Sequence, residues 1–209
     1  MSKPALFIFA KAPIAGAAKT RLLTEYTAAQ AAEIASVLIQ ETLTLAVADW
    51  DGPIYLATTP TTTHPLFTAL AARHAVELRG QQGSDLGARM HDALAYGVAR
   101  YGAAAVVGCD VPHCPGETLR DACVRVARGK AVLGPSTDGG YYLIGLSTPG
   151  AELFADIAWG GSDVCATTIA RARALGIAFD MLPPLRDIDT PDDLRAAALR
   201  FPPLRRFAL

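Results

Sequence analysis

The sequence predicts an α/β domain with a largely parallel sheet and helices on both faces. Three observations lead there. Seven short apolar runs, rich in β-branched or aromatic residues, alternate with segments of helical periodicity. The early runs are continuously apolar instead of alternating, as strands covered on both faces are. No linker, repeat, low-complexity stretch or charge block divides the 209 residues, a length suited to one domain that buries roughly 70% of its unfolded surface.

In chain order, the first strand covers residues 5–10, a six-residue apolar run too short for a signal sequence or a membrane span. A helix over 27–48 follows, then a strand at 54–58, a helix over 64–74 and a strand at 75–78. The segment 81–90 is a glycine-bearing loop opening a helix over 85–101, with Ser84 or Asp85 as its cap. A strand at 104–108, a helix over 116–128 and a strand at 131–134 come next. The strand at 141–146 follows Gly139 and Gly140 closely, which suits an antiparallel edge or a hairpin partner. A helix over 163–175, a strand at 177–182 and a helix over 191–201 complete the alternation, and the closing FPPLRRFAL is either a docked tail or a frayed end.

The formal net charge of −1 gives no global field to gather nucleic acid or an anionic membrane, so any phosphate must be held by a local cluster of cations. The four cysteines lack CxxC spacing and sit mostly in apolar stretches. They read as small hydrophobic residues in a reducing cytoplasm, not as a zinc site or a disulfide framework. The four histidines form no HExxH pattern, and no GxSxG elbow is present, so zinc and serine hydrolase readings lose support.

In an open α/β sheet the ligand lies beyond the carboxyl ends of the strands, and four segments there carry chemistry. The loop after the first strand places Lys11, Lys19 and Arg21 among small residues, which lets the backbone approach a phosphate that the cations neutralise; an exposed basic loop is the plainer alternative. Asp110, in GCDVP, ends a strand where a carboxylate projects over the crevice and suits a metal bridging phosphates, although aspartate before a turn also ends strands for local reasons. In GPSTDGGYY, Gly139 and Gly140 let a base, ribose or sugar lie against backbone while Asp138 or a hydroxyl bonds it and Tyr141 or Tyr142 offers a ring; read alone, it is a turn. In DIDTPDDL, Thr190 caps a helix begun by Pro191, with Asp192 and Asp193 in the first turn. Asp187 and Asp189 instead alternate with Ile188 on extended chain, so both point the same way and repel by on the order of 1–3 kcal/mol, a cost that a divalent cation reverses. The segment 81–90 adds Gly83 and Asp85 as candidates, since the free N–H groups of a helix start meet anions. Arg89, Asp92 and Tyr96, on one face of that helix, read as solvated surface.

Together FAKAPIAGAAKTRL, QGSDLGARM, GCDVP, GPSTDGGYYLIGL, the Trp159 segment and DIDTPDDL span nearly the whole chain. In this order they resemble the bacterial family of GT-A-type glycosyltransferase-like proteins associated with selenium or radical enzymes. They are more distantly similar to the 2-phospholactate guanylyltransferases and the molybdenum-cofactor nucleotidyltransferases. The resemblance implies a three-layer αβα nucleotide-diphospho-sugar transferase fold over residues 1–209. It also implies Mg²⁺ or Mn²⁺ held by Asp110, Asp187 and Asp189, and phosphates held by Lys11, Lys19 and Arg21. AKAPIAGAAKTRL stands where the relatives carry a glycine-rich GGxGxRxG-like loop. The expected activity is transfer from a nucleotide-activated donor, glycosyl from a nucleotide-sugar or nucleotidyl from a triphosphate, to an unidentified acceptor, with Asp110 electrostatic and Asp138 as the acceptor's base. A non-catalytic nucleotide-binding module is the alternative from another class.

Overall fold

The computed structural model describes residues 3–208. Met1, Ser2 and Leu209, the outermost residues of the opening segment and the closing tail, lie outside the described residues. Among the described residues, seven strands form one sheet: β1 (Ala5–Lys11), β2 (Ile54–Thr59), β3 (Glu77–Gly80), β4 (Ala104–Gly108), β5 (Ala131–Pro135), β6 (Tyr141–Leu146) and β7 (Phe179–Met181). Their order across the sheet is β3-β2-β1-β4-β6-β5-β7. Every neighbouring pair is parallel except those made by β6, which runs antiparallel to both β4 and β5.

Among the described residues, six α-helices connect and cover the strands: α1 (Ala28–Asp49), α2 (Pro65–His74), α3 (Leu86–Tyr101), α4 (Gly116–Ala127), α5 (Val164–Ala174) and α6 (Pro191–Ala198). Local chemistry sets their starts. Thr27 and Thr190 each form a reciprocal capping box, with Gln30 and Asp193 respectively, and Asp85 accepts the amide of Ala88. Two buried layers flank the sheet. One joins Ile39 and Leu43 of α1, Phe67 of α2 and Leu119 of α4 to the strands. The other joins Met90 and Leu94 of α3 and Ala172 of α5 to the opposite strand face. Helix α1 is long and apolar enough to cross a bilayer, but Ile34, Leu38, Ile39 and Leu43 are buried in the fold, as in a core helix of a soluble protein.

Several boundaries differ from the sequence reading, each for a local reason. Ala75 does not begin a strand. It caps α2 in the left-handed region (φ 54°), and β3 starts two residues later. Strand β6 is a hairpin partner of β5 but not an edge, because β4 takes its other side. β7 is only three residues long, and α6 ends at Ala198. The tail is docked: a 3-10 turn at Pro202–Phe207 buries Leu204 and Phe207. Further 3-10 turns at Thr20–Thr24 and Ala151–Leu153 carry no periodicity long enough to be read from sequence. All four cysteines are free thiols.

The order of strands fixes where a ligand site belongs. The chain builds outward from β1 to β3 and then returns to place β4 on the other side of β1. The carboxyl ends of β1 and β4 therefore form the topological switch point. Their register pairs Phe9 with Gly108, so Lys11 and Asp110 leave the sheet side by side.

Candidate functional site

A cleft of about 510 Å³ opens at this edge. Its charged end is assembled from the loop after β1, the end of β4 and the chain before α6. The first of these is a compact turn in which the amides of Ala17 and Ala18 both reach the carbonyl of Ile14, at 2.9 and 3.0 Å, with Gly16 at φ 80°. Lys19 itself adopts the left-handed region (φ 47°), a conformation that costs a side-chain-bearing residue about 1–2 kcal/mol. Leu22, fully buried with Ile34, Leu38 and Leu194, ties down the far side of the loop.

The strain is held by an ion-pair network. The Lys19 ammonium lies 2.5 Å from Asp110 Oδ1, and it donates to Asp189 Oδ1 at 2.8 Å and to the Ile188 carbonyl at 2.7 Å. Arg21 Nη1 donates to Asp189 Oδ2 at 3.2 Å. Burial disfavours the ammonium of Lys19, but Asp110 and Asp189 outweigh it, and the pKa is raised.

The late segment reaches the site because its backbone is stitched to two strand ends. The amide of Leu185 donates to Pro135, and that of Ile188 donates to the Asp110 carbonyl at 2.9 Å. Ile188 packs inward at 1% exposure, and Asp187 and Asp189 on either side of it line the cleft. Asp187 accepts the hydroxyl of Ser136 at 2.9 Å. Burial, then the negative charge of Asp110, and to a lesser degree Asp138 and Asp189, push its carboxyl up to about 7, against the lowering effect of Ser136. The site thus carries more negative charge than Lys19 and Arg21 neutralise.

The structure brings Lys11, Lys19, Arg21, Asp110, Asp138, Gly140, Asp187 and Asp189 to one cleft. Asp138 Oδ1 accepts the amide of Gly140 at 3.0 Å, which closes the turn between β5 and β6. Gly139 stands apart from the lining. It has φ 95°, its carbonyl accepts the amide of Cys165, and a Cβ there would lie 1.8 Å from the carbonyl oxygen of Ser162; its role is close backbone packing against the loop before α5. Gly83 and Asp85 also lie outside the cleft lining, just before Leu86 in the chain, which lines it. The Asp85 carboxylate is spent on capping α3, and the Gly83 carbonyl accepts Arg89 Nε at 3.1 Å. Among the described residues no group of three or more His, Cys, Asp or Glu side chains forms a metal-binding cluster. Between Asp110 and Asp189, where sequence reasoning put a metal, stands the ammonium of Lys19.

Sequence reasoning missed two parts of the site. Ser136 was not singled out as a partner of Asp187, since a hydroxyl in this motif reads either as turn chemistry or as a group that bonds a ligand. The apolar part of the opposite wall, formed by Leu86, Met90 and Val164 beside Tyr141 and Trp159, reads as core.

Comparison with known proteins bears on both fold and kinship. No curated protein matches the chain. A crystallised protein of Desulfovibrio desulfuricans G20, provisionally named a nucleotide-diphospho-sugar transferase, is 30% identical, with a TM-score of 0.84 over 97% of this chain and 88% of that one. Rv0371c of Mycobacterium tuberculosis H37Rv in complex with manganese is 18% identical, with a TM-score of 0.54 over 94% and 99% of the two chains. A cytidylyltransferase of Leptospira borgpetersenii is 15% identical, with a TM-score of 0.58 over 93% and 84%. The last two likenesses show a shared fold, and the fold of the chain is that of the nucleotide-diphospho-sugar transferases, a mixed, mostly parallel sheet between helical layers. With a family model matching residues 42–161, from late α1 to just past Trp159, the chain belongs to the family described as "Uncharacterized protein conserved in bacteria (DUF2064)".

Proposed function

We propose that this chain is a metal-dependent transferase using a nucleotide-activated donor, with glycosyl transfer from a nucleotide-sugar as its reaction. The observation that carries the proposal is the convergence of Lys11, Lys19 and Arg21 with Asp110, Asp187 and Asp189 at the switch point of the sheet. Support also comes from the 30% identical structure named for nucleotide-diphospho-sugar transfer.

The donor set fits Mg²⁺ or Mn²⁺, hard cations that take carboxylate oxygen. Asp110 and Asp187 are the residues to hold the ion, since both line the cleft and Asp187 has, among the described residues, no cationic partner there, while burial first and the Asp110 charge next raise its pKa. Asp189 is engaged by Lys19 and Arg21 and joins the set only by releasing them. When bound, such an ion neutralises the donor's phosphates and the charge that grows on the leaving group. Lys11 and Arg21 hold phosphate oxygens from the other side, and Lys19 fixes the position of the Asp110 carboxylate. In the transfer, the acceptor oxygen bonds to the anomeric carbon as the bond from that carbon to the phosphate oxygen breaks. Asp138, held by Gly140, takes the acceptor's proton.

A thermal-shift screen of nucleoside triphosphates and nucleotide-sugars, with and without Mn²⁺, tests the proposal. A ligand at 100 times its dissociation constant adds about 2.7 kcal/mol. Release of a nucleoside diphosphate from a nucleotide-sugar supports glycosyl transfer, whereas pyrophosphate release from a triphosphate on adding an acceptor converts the reading to nucleotidyl transfer. Metal-dependent binding without turnover across the donor panel makes the chain a binding module, and the absence of any stabilisation by either ligand class overturns the proposal.

A further inference from the structure

The closing segment lies outside the cleft yet is joined to both sides of its ion-pair network. In the 3-10 turn at Pro202–Phe207, three residues per turn put Leu204 and Phe207 on one face, where both are buried, while Arg205 and Arg206 are exposed. The two apolar side chains enter a cluster with Leu22, Ile34, Leu38, Ile188 and Leu194 that is made of helix, turn and loop residues alone. Two members of that cluster are chain neighbours of the charged groups. Leu22 follows Arg21, and Ile188 stands between Asp187 and Asp189. Among the described residues, none that lines the cleft comes after Asp189.

Helix α6 links the tail to Asp189. Asp193, in its first turn, accepts the amides of Asp189 at 3.2 Å and of Thr190 at 2.8 Å, so the Asp189 backbone moves with the start of the helix. Leu194 and Ala198 of the same helix share the cluster with Leu204 and Phe207, and α6 contacts both the tail turn and the turn at Thr20–Thr24. The ring closes across the site, where Asp189 pairs with Lys19 and Arg21. Among the described residues, main-chain hydrogen bonds beyond Ile188 stay within the segment. Its polar ties to α1 and the turn before it are the bond from the Tyr26 hydroxyl to the Phe207 carbonyl and the exposed pairs of Arg195 with Glu25 and Arg206 with Glu33, and such pairs contribute little. Apolar burial in the cluster is therefore what seats α6 and, with it, Asp189. A displacement of about 1 Å passed to a charged group from outside a site can cost on the order of a hundredfold in rate.

We infer that Leu204 and Phe207 are positioning residues: from outside the cleft they hold Asp189 and the loop of Lys19 and Arg21 in register, and a ligand on those cations tightens the tail in return. The second part rests on the phosphate-binding reading given above; the first does not. The full chain is followed by hydrogen exchange and by calorimetric titration with Mg²⁺ and pyrophosphate, the probe for a donor's diphosphate. Leu204→Ala is compared with Phe67→Leu, which loosens an equally buried side chain in the α2 layer. In the free protein, Leu204→Ala is expected to speed exchange at least about fivefold over residues 14–24 and 185–193, and Phe67→Leu to leave those segments unchanged. Leu204→Ala is expected to bind the probe about five- to a hundredfold more weakly than the wild type, and Phe67→Leu to bind it equally well. Leu204→Met, which conserves volume, should regain most of the loss. Tyr26→Phe removes only the bond to the Phe207 carbonyl; it should shift both readings the same way by a smaller factor, and it stands in if Leu204→Ala does not fold. In the wild type the probe is expected to slow exchange over residues 202–207. Wild-type affinity in Leu204→Ala, or in Tyr26→Phe where it stands in, overturns the inference, as does an equal loss in Phe67→Leu or a bound probe that leaves 202–207 unaltered. If the wild type does not bind the probe, the phosphate-binding reading falls, and unchanged exchange over 14–24 and 185–193 in the tail variant then overturns the positioning role on its own.

Discussion

Asp187 gives the sharpest quantitative test of how the site is built. Its carboxyl is pushed from 3.8 to about 7 in the fold by burial first and by Asp110 next. Between those two values the native state binds a proton that the unfolded chain has lost, so stability falls as pH rises through this window and levels off above it. At 1.36 kcal/mol per pH unit the span corresponds to about 4 kcal/mol, and solvent at the mouth of the cleft reduces it to about 2–4 kcal/mol. Asp187→Asn removes the charge and keeps an oxygen for the Ser136 hydroxyl. It is expected to stabilise the protein by that amount at pH 8 and to leave it nearly unchanged at pH 4. For a chain of this length the gain at pH 8 is roughly 5–15 °C in melting temperature. Urea denaturation of wild type and variant at pH 4, 6 and 8 reads the difference directly. Added Mn²⁺ should stabilise the wild type at pH 8 and have less effect on the variant. A variant equally or less stable than wild type at pH 8 would refute the claim that uncompensated negative charge sits at the end of β4.

Three further outcomes follow from the same geometry. Lys19→Met leaves Asp110 and Asp189 without their shared cation and should cost about 1–3 kcal/mol in chemical denaturation, the partial exposure of both carboxylates limiting the loss. Gly139→Ala forces a Cβ against the backbone of Ser162 at positive φ, and should cost about 2–4 kcal/mol while shifting the emission of Trp159 in the adjoining loop. Thr190→Ala removes the hydroxyl that accepts the amide of Asp193 and should cost about 1 kcal/mol in thermal melting, with ligand-induced stabilisation retained.

The strands and helices were legible because each carries its own periodicity, and Thr190-Pro191 announced the start of α6 by local chemistry alone. The pairing of β6 was not legible: its sequence allows an edge as readily as an interior position, and β4 alone decides between them. At the site, the alternation of Asp187, Ile188 and Asp189 predicted which side chains face the cleft, since a single inward isoleucine sets the phase. The cap of α3 was legible in Asp85, whose carboxylate accepts the Ala88 amide. The pairing of Lys19 with Asp110 and Asp189 lies beyond sequence reading, since nothing local tells an ammonium from a metal ion as the partner of two distant carboxylates.

The docking of α6 and the tail has a consequence for assembly order. Leu22, which anchors the loop after β1, shares a buried cluster with Leu194 and Leu204, and Tyr26 donates its hydroxyl to the Phe207 carbonyl at 2.7 Å. A nascent chain released as far as β7 already possesses every strand of its sheet, and Asp110 to meet Lys19, but it lacks Asp189 and Leu194, the partners that the late segment brings to the opening loop. The cleft therefore reaches its described form only once the segment after β7 has folded back over the opening loop.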